Sequence, residues 1–133
     1  MDAGANMKNR PATILIVDDQ EAVRRFIVSV LAPHGYRLLE APHGDAAAEI
    51  ASREGIDLLI ADVVMPGMSG PELEERLSSE GRGCPCLLIS GAEPKALPED
   101  LPFLRKPFDP EELVAAVHQL LEGVETAEVI RGN

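Results

Sequence analysis

Four short runs, each closed by a polar residue, constrain this chain more than any other feature. Ile14-Leu15-Ile16-Val17 is closed by Asp18-Asp19, Leu58-Leu59-Ile60-Ala61 by Asp62, Leu87-Leu88-Ile89 by Ser90, and Phe103-Leu104-Arg105 by Lys106-Pro107. Short apolar runs bounded by turn residues read as buried strands of a parallel sheet. Ligands of open α/β sheets bind beyond the carboxyl ends of such strands. If the four runs are parallel neighbours, three carboxylates, a hydroxyl and an ammonium meet at one edge. That set suits one divalent cation and one phosphoryl group, with Asp62 as acceptor.

The segments between the runs carry helical signals. Val23, Phe26, Ile27, Val30 and Leu31 repeat at helical spacing, which predicts a helix from near Gln20 to Ala32, stopped by Pro33-His34-Gly35. Tyr36 to Glu40 reads as a further strand at the sheet edge. An alanine-rich helix is expected over roughly Asp45 to Arg53, with Ala47, Ile50 and Ala51 on one face. Ser69-Gly70-Pro71-Glu72 has capping-box spacing, so a third helix should start there and bury Leu73 and Leu77. Asp109-Pro110-Glu111-Glu112 repeats the start signal ahead of Leu113, Val117, Leu120, Leu121 and Val124. Strands alternating with helices imply a doubly wound parallel α/β sheet, with right-handed crossovers placing helices on both faces. Residues 1–10 read as a flexible N-terminal arm, 11–123 as the domain, and 124–133 as a loose tail or a frayed extension of the last helix.

At 133 residues the chain has room for one domain with a real core. Its formal net charge of −11 argues against nucleic-acid binding, which needs a basic face. No apolar stretch approaches the roughly 20 residues that span a bilayer, and residues 1–10 lack the apolar core of a signal peptide. A cytosolic protein without membrane partners is the expectation. Cys84 and Cys86 lack the spacing of a zinc site, and read as a loop residue and a small core residue. His34, His43 and His118 fall in loop or helix-surface positions, and no catalytic role is expected for them.

The acidic set carries the chemistry. Asp18, Asp19 and Asp62, gathered without a counter-ion, would raise one another's pKa values. A hard divalent cation removes that conflict, and Mg2+, or Mn2+ in its place, suits one or two carboxylates plus water and phosphate oxygens. A carboxylate can accept a phosphoryl group as an acyl phosphate, which assigns Asp62 as nucleophile. The cation, Lys106, Ser90 and backbone N–H groups would then neutralise and hold the phosphoryl oxygens.

At this point the residues resemble a family. Val17-Asp18-Asp19, the run from Asp62 through Val63-Val64-Met65-Pro66-Gly67-Met68-Ser69 to Gly70, Ser90-Gly91 and Lys106-Pro107-Phe108 closely resemble the receiver domains of two-component response regulators. The likeness covers about Pro11 to Leu121. It implies a five-stranded flavodoxin-like fold of strand order 2-1-3-4-5. It further implies Asp62 as phosphoacceptor, and Asp19, Asp62 and the Val64 backbone carbonyl as direct Mg2+ ligands, with Asp18 acting mainly through water. It implies a cis Lys106–Pro107 bond, Lys106 on the phosphate, Ser90 moving toward it, and Phe103 swinging inward as the switch. The implied partners are a histidine kinase or histidine phosphotransfer protein upstream and an unidentified protein downstream. The module is expected to catalyse only its own aspartyl phosphorylation and dephosphorylation, and not to be a conventional turnover enzyme.

One segment departs from the family pattern. Lys106 follows Ser90 by only 16 positions, and prolines stand at 94, 98 and 102. Proline inside a helix costs about 3 kcal/mol or more. The helix that receivers place between their fourth and fifth strands is therefore expected to be absent or reduced to one turn. That remodels the usual output and dimer face, and shortened segments of this kind resemble receivers attached to hybrid sensor kinases. Val64 and Ala92, at positions that in the family control approach of water to the acyl phosphate, are small and apolar. Two rivals stand beside the receiver reading: a receiver that docks without phosphorylation, and an aspartate-based, Mg2+-dependent phosphohydrolase. The hydrolase fits less well, since such enzymes place the nucleophile in an Asp-x-Asp arrangement after the first strand. The initial Met1 mildly favours a stand-alone regulator, and the uncapped ends leave a piece of a longer kinase or regulator open.

Overall fold

The five apolar segments form one parallel sheet. The computed structural model describes residues 10–91 and 100–132, with side chains as far as Glu122. The strands are β1 (Thr13–Val17), β2 (Arg37–Ala41), β3 (Leu58–Asp62), β4 (Cys86–Ser90) and β5 (Phe103–Arg105). The helices among the described residues are α1 (Glu21–Leu31), α2 (Gly44–Arg53), α3 (Gly70–Ser79) and α4 (Pro110–Gly132), with a 3-10 turn at Ala32–His34. Every neighbouring pair of strands is parallel, in the order β2-β1-β3-β4-β5. The expected doubly wound fold and strand order are both present.

Strand parity explains the two-sided core. Side chains alternate between faces, so each buried strand must be apolar throughout. Leu15, Val17, Leu59, Ala61, Cys86 and Leu88 pack with Ala47, Ala48 and Ala51 of α2 and Leu73 and Leu77 of α3. Ile14, Ile16, Leu58, Ile60, Leu87 and Ile89 pack instead with Ile27 and Leu31 of α1 and Leu113 and Val117 of α4. The small alanines of α2 let that helix lie close to the sheet. Fully burying one such aliphatic side chain stabilises the fold by about 1.5–3 kcal/mol, so each layer contributes heavily.

Local chemistry sets the helix ends. Ser69 and Glu72 form the reciprocal capping box: the Ser69 hydroxyl accepts from the Glu72 N–H at 3.2 Å, and the Glu72 carboxylate accepts from the Ser69 N–H at 2.9 Å. At α4 the Glu112 carboxylate accepts from the Asp109 N–H at 2.9 Å. The stop after α1 is the 3-10 turn followed by Gly35 at φ 85°, a left-handed conformation that suits glycine.

The structure also departs from the sequence expectation. Phe26 lies on the exposed side of α1, its ring 5.9 Å from that of Phe108, while Ile27 and Leu31 take the buried stripe. Helix α2 starts at Gly44, capped by His43 Nδ1, which accepts from the Ala46 N–H at 3.2 Å. Residues 124–132, expected as a tail or a frayed extension, continue α4 as helix. The expected loss of the helix between β4 and β5 falls mostly on 92–99, outside the described residues; Asp100 to Pro102 form a turn and bend leading into β5. Cys86 is buried on β4 and Cys84 precedes it outside the strand, both as free thiols. Burial pushes the Cys84 thiol up to about 11 and Cys86 higher still, so neither is poised as a nucleophile.

The capping box is separable from the site chemistry. Ser69→Ala should lower stability by about 1 kcal/mol, read as a lower urea midpoint at unchanged m-value. An unchanged midpoint would show that the cap contributes nothing net.

Candidate functional site

Topology brings the predicted residues together. Asp18 and Asp19 follow β1, Asp62 ends β3, Ser90 ends β4 and Lys106 follows β5, all at the carboxyl edge of the sheet. Asp18, Asp62 and Ser90 are buried, and Asp19 is exposed. One oxygen from each of Asp18, Asp19 and Asp62 lies within 4.8 Å of the others. The Lys106 ammonium donates to Asp18 Oδ2 at 3.1 Å and to Asp62 Oδ2 at 3.0 Å. To do so it reaches past β4 to the two strands beyond, which the flexible four-carbon stem of lysine permits.

The two buried acids are each held through both carboxylate oxygens. Asp18 Oδ1 accepts from the Gln20 N–H at 2.8 Å, and its Oδ2 takes Lys106. The Asp18 N–H donates to the Ala41 carbonyl at 3.2 Å, and its own carbonyl accepts from Arg24 Nη1 at 2.6 Å. Asp62 Oδ1 accepts from the Val64 N–H at 3.1 Å. Burial raises the Asp18 pKa; Asp62 adds to the rise, while the Gln20 N–H and the Lys106 ammonium oppose it. Burial acts to lower the pKa of Lys106, but its hydrogen bonds to Asp62 and Asp18 outweigh burial and raise it. The ammonium is thus held charged between the acids.

The donor set fits a hard cation. It offers carboxylate oxygens without nitrogen or sulfur, at a spacing one ion can bridge. Positive charge there would further relieve the buried carboxylates, whose ion pairs among the described residues are with Lys106.

The segment after Asp62 is fixed at both ends. A Cβ on Gly70 would collide with the Asp62 carbonyl oxygen, so only glycine lets α3 start this close to β3. The Gly70 N–H donates to the Val63 carbonyl at 3.1 Å. Met68 packs onto Gly44 so closely that a Cβ at Gly44 would meet its side chain at 2.9 Å, and Met65 is buried. Val64 points its side chain to solvent. The Lys106–Pro107 bond is cis. Phe103 starts β5 opposite Leu88 and packs, partly buried, on the core layer of α2 and α3.

Two contributors escaped the sequence reading. Arg24 grips the Asp18 carbonyl, and its signal was available: it shares the buried stripe of α1 with Ile27 and Leu31, where a charge is unusual. The close approach of Gly70 to Asp62 had no local signal beyond the glycine itself.

A parallel sheet in this order, with three carboxylates and a lysine converging at its carboxyl edge, defines a doubly wound α/β fold with an acidic site at the strand ends. Residues 14–118 match the response regulator receiver domain family, and the chain belongs to that family. Receiver domains of this kind are signalling modules. Among its relatives, the sensor kinase CckA of Brucella abortus is 37% identical over 119 residues, 84% of this chain and 13% of that protein. The response regulator receiver protein CpdR of the same organism is 33% identical over 114 residues, 81% of this chain and 95% of CpdR. The chain spans only 54% of the mycobacterial regulatory protein TcrX, so its relatives include both single receivers and longer proteins. Among solved structures, the receiver domain of the hybrid histidine kinase CckA superposes with TM-score 0.73 at 39% identity, covering 83% of this chain and 99% of that one. Vibrio cholerae chemotaxis protein CheY4 gives TM-score 0.76 at 28% identity, covering 84% and 99%. Among the described residues no helix is long and apolar enough to cross a membrane.

Lys106→Met would leave two buried carboxylates without their shared cation. In divalent-free buffer this should cost about 1.5–3 kcal/mol of unfolding free energy, measured by urea denaturation. Equal stability of both chains would show that the two contacts are offset by the desolvation of the ammonium.

Proposed function

We propose that this chain is the phosphoacceptor module of a two-component phosphorelay, with Asp62 as the acceptor. The observation that carries the reading is the convergence of Asp18, Asp19 and Asp62 with Lys106 bridging Asp18 and Asp62. The phosphodonor is a phosphohistidine on a histidine kinase or histidine phosphotransfer protein, a reading supported by the likeness to the sensor kinase CckA and to the receiver domain of the hybrid histidine kinase CckA. The working unit is residues 11–123, acting in the cytoplasm on an unidentified downstream protein.

The chemistry is a single displacement. An Asp62 carboxylate oxygen forms a bond to phosphorus as the phosphorus–nitrogen bond of the donor breaks, and the imidazole leaves with the bonding pair and takes up a proton. Asp19, Asp62 and the Val64 carbonyl would hold Mg2+, or Mn2+, with Asp18 acting through water. That cation supplies charge neutralisation at the phosphoryl oxygens. Lys106 releases the Asp62 carboxylate and pairs with the incoming oxygens. Ser90 contributes its hydroxyl to the same group, and Phe103 follows into the space that Ser90 vacates. The phosphoryl group shifts an existing equilibrium through these differential contacts.

Intact mass after incubation with an acyl phosphate tests the reading. One added phosphoryl group should require both Mg2+ and Asp62, and should vanish in Asp62→Asn. No addition to a folded native chain in Mg2+ would support a phosphorylation-independent docking module instead. Repeated turnover of a phosphomonoester would support the hydrolase. Phe103→Ala should leave phosphorylation intact and weaken the partner response; equal loss of both would remove Phe103 from the switch.

A further inference from the structure

We infer that Arg24 is a positioning residue for the cation site, acting through the peptide that joins Asp18 to Asp19. This rests on the proposed reading of the acidic cluster as a Mg2+ site. The guanidinium of Arg24 is largely buried and works along two edges. Nη1 donates to the Asp18 carbonyl at 2.6 Å, and Nε pairs with Glu40 Oε1 at 3.2 Å. Glu40 lies on β2, the strand beside β1, and Arg24 sits on α1 above them. The Arg24 N–H in turn donates to the Gln20 carbonyl at 3.2 Å, so the helix that bears the clamp is anchored to the same turn.

Peptide planarity gives this contact its reach. The carbonyl oxygen of Asp18 and the nitrogen of Asp19 share one plane. Holding that oxygen fixes the direction in which the chain enters Asp19. The other side of Asp18 is already fixed by its N–H on Ala41 and its carboxylate on Gln20 and Lys106. Asp19 itself is exposed, so its own surroundings give it little restraint. Arg24 therefore supplies the missing constraint on the acid that must meet the cation. Lysine cannot reproduce it, because a single ammonium lacks the planar fork that serves two acceptors in different directions.

The sign of the effect separates positioning from charge. Electrostatics alone predicts that removing a cation near an acidic site tightens Mg2+ binding. Loss of a positioning contact weakens it, and outer-shell partners of metal ligands typically account for about ten- to a hundredfold in affinity. The test is calorimetric titration of Mg2+ into the full chain, native and variant, with a urea midpoint for each. Arg24→Met should bind Mg2+ about tenfold more weakly. Arg24→Lys should fall between it and the native chain. Glu40→Gln removes the charge partner but leaves the grip on Asp18, and should stay within about twofold of native. Arg24→Met binding as tightly as native or tighter overturns the proposal. So does Glu40→Gln weakening Mg2+ as much as Arg24→Met. Should Arg24→Met not fold, native affinity in folded Arg24→Lys overturns it equally. Native chain that binds no Mg2+ overturns the cation-site reading and this proposal together, whereas native binding with an indifferent Arg24→Met removes Arg24 alone.

Discussion

The ammonium of Lys106, set between the carboxylates of Asp18 and Asp62, is the contact on which the site depends. A parallel sheet places the ends of its strands on one edge, so residues that close apolar runs are forced into company. Here that company includes two buried acids from adjacent strands and an exposed third. Two carboxylates taken out of water repel each other and lose hydration, and neither cost is small. Lys106 offsets both by reaching across β4. The lysine side chain spans the intervening β4, so a residue that follows the last strand joins the ends of the first and third strands of the chain.

The acids divide the work through what else they touch. Asp18 has its N–H, its carbonyl and both carboxylate oxygens engaged. It behaves as a fixed part of the wall. Asp62 likewise has both carboxylate oxygens engaged, but by the Val64 N–H of the next loop and by Lys106, so its carboxylate is aimed by the loop that follows it. The loop that follows is pinned by Met65 in the core, Met68 against Gly44, and Gly70 against the Asp62 carbonyl. These contacts belong to packing, yet they determine where Asp62 and the Val64 backbone stand.

Much of this was legible because strand ends are local in sequence and the topology does the rest. The closing residues Asp18, Asp62, Ser90 and Lys106 could be placed together once each run was taken as a parallel strand. The capping box at Ser69 was legible for a similar reason, since both partners lie within one helical turn. Arg24 was harder. Its helical position marks it as inward, but which backbone oxygen it would find depends on where β1 turns. His43 was hidden by chemistry: an imidazole nitrogen does the capping that Ser, Thr, Asp or Asn usually performs. Phe26 misled because an aromatic at helical spacing is ordinarily core, and here it meets Phe108 on the outer side of α1. No helical pattern could reveal that the neighbouring turn supplies a partner.

The same geometry bears on how a phosphoryl group could alter the outer face. Strand β5 has only three residues and pairs with β4 alone, so it is the least restrained of the five. Phe103 opens it and Lys106 follows it. The Lys106 N–H donates to the Ser90 carbonyl at 2.7 Å, which couples the end of β5 directly to the end of β4. The proposed chemistry at Asp62 would change what the Lys106 ammonium must pair with, and Lys106 lies three residues from the aromatic. A shift there is carried along a short edge strand rather than through a packed interior strand, where displacement would disturb both core layers at once. The proposed switch therefore sits where the sheet resists movement least, next to the group whose partners the reaction would change most.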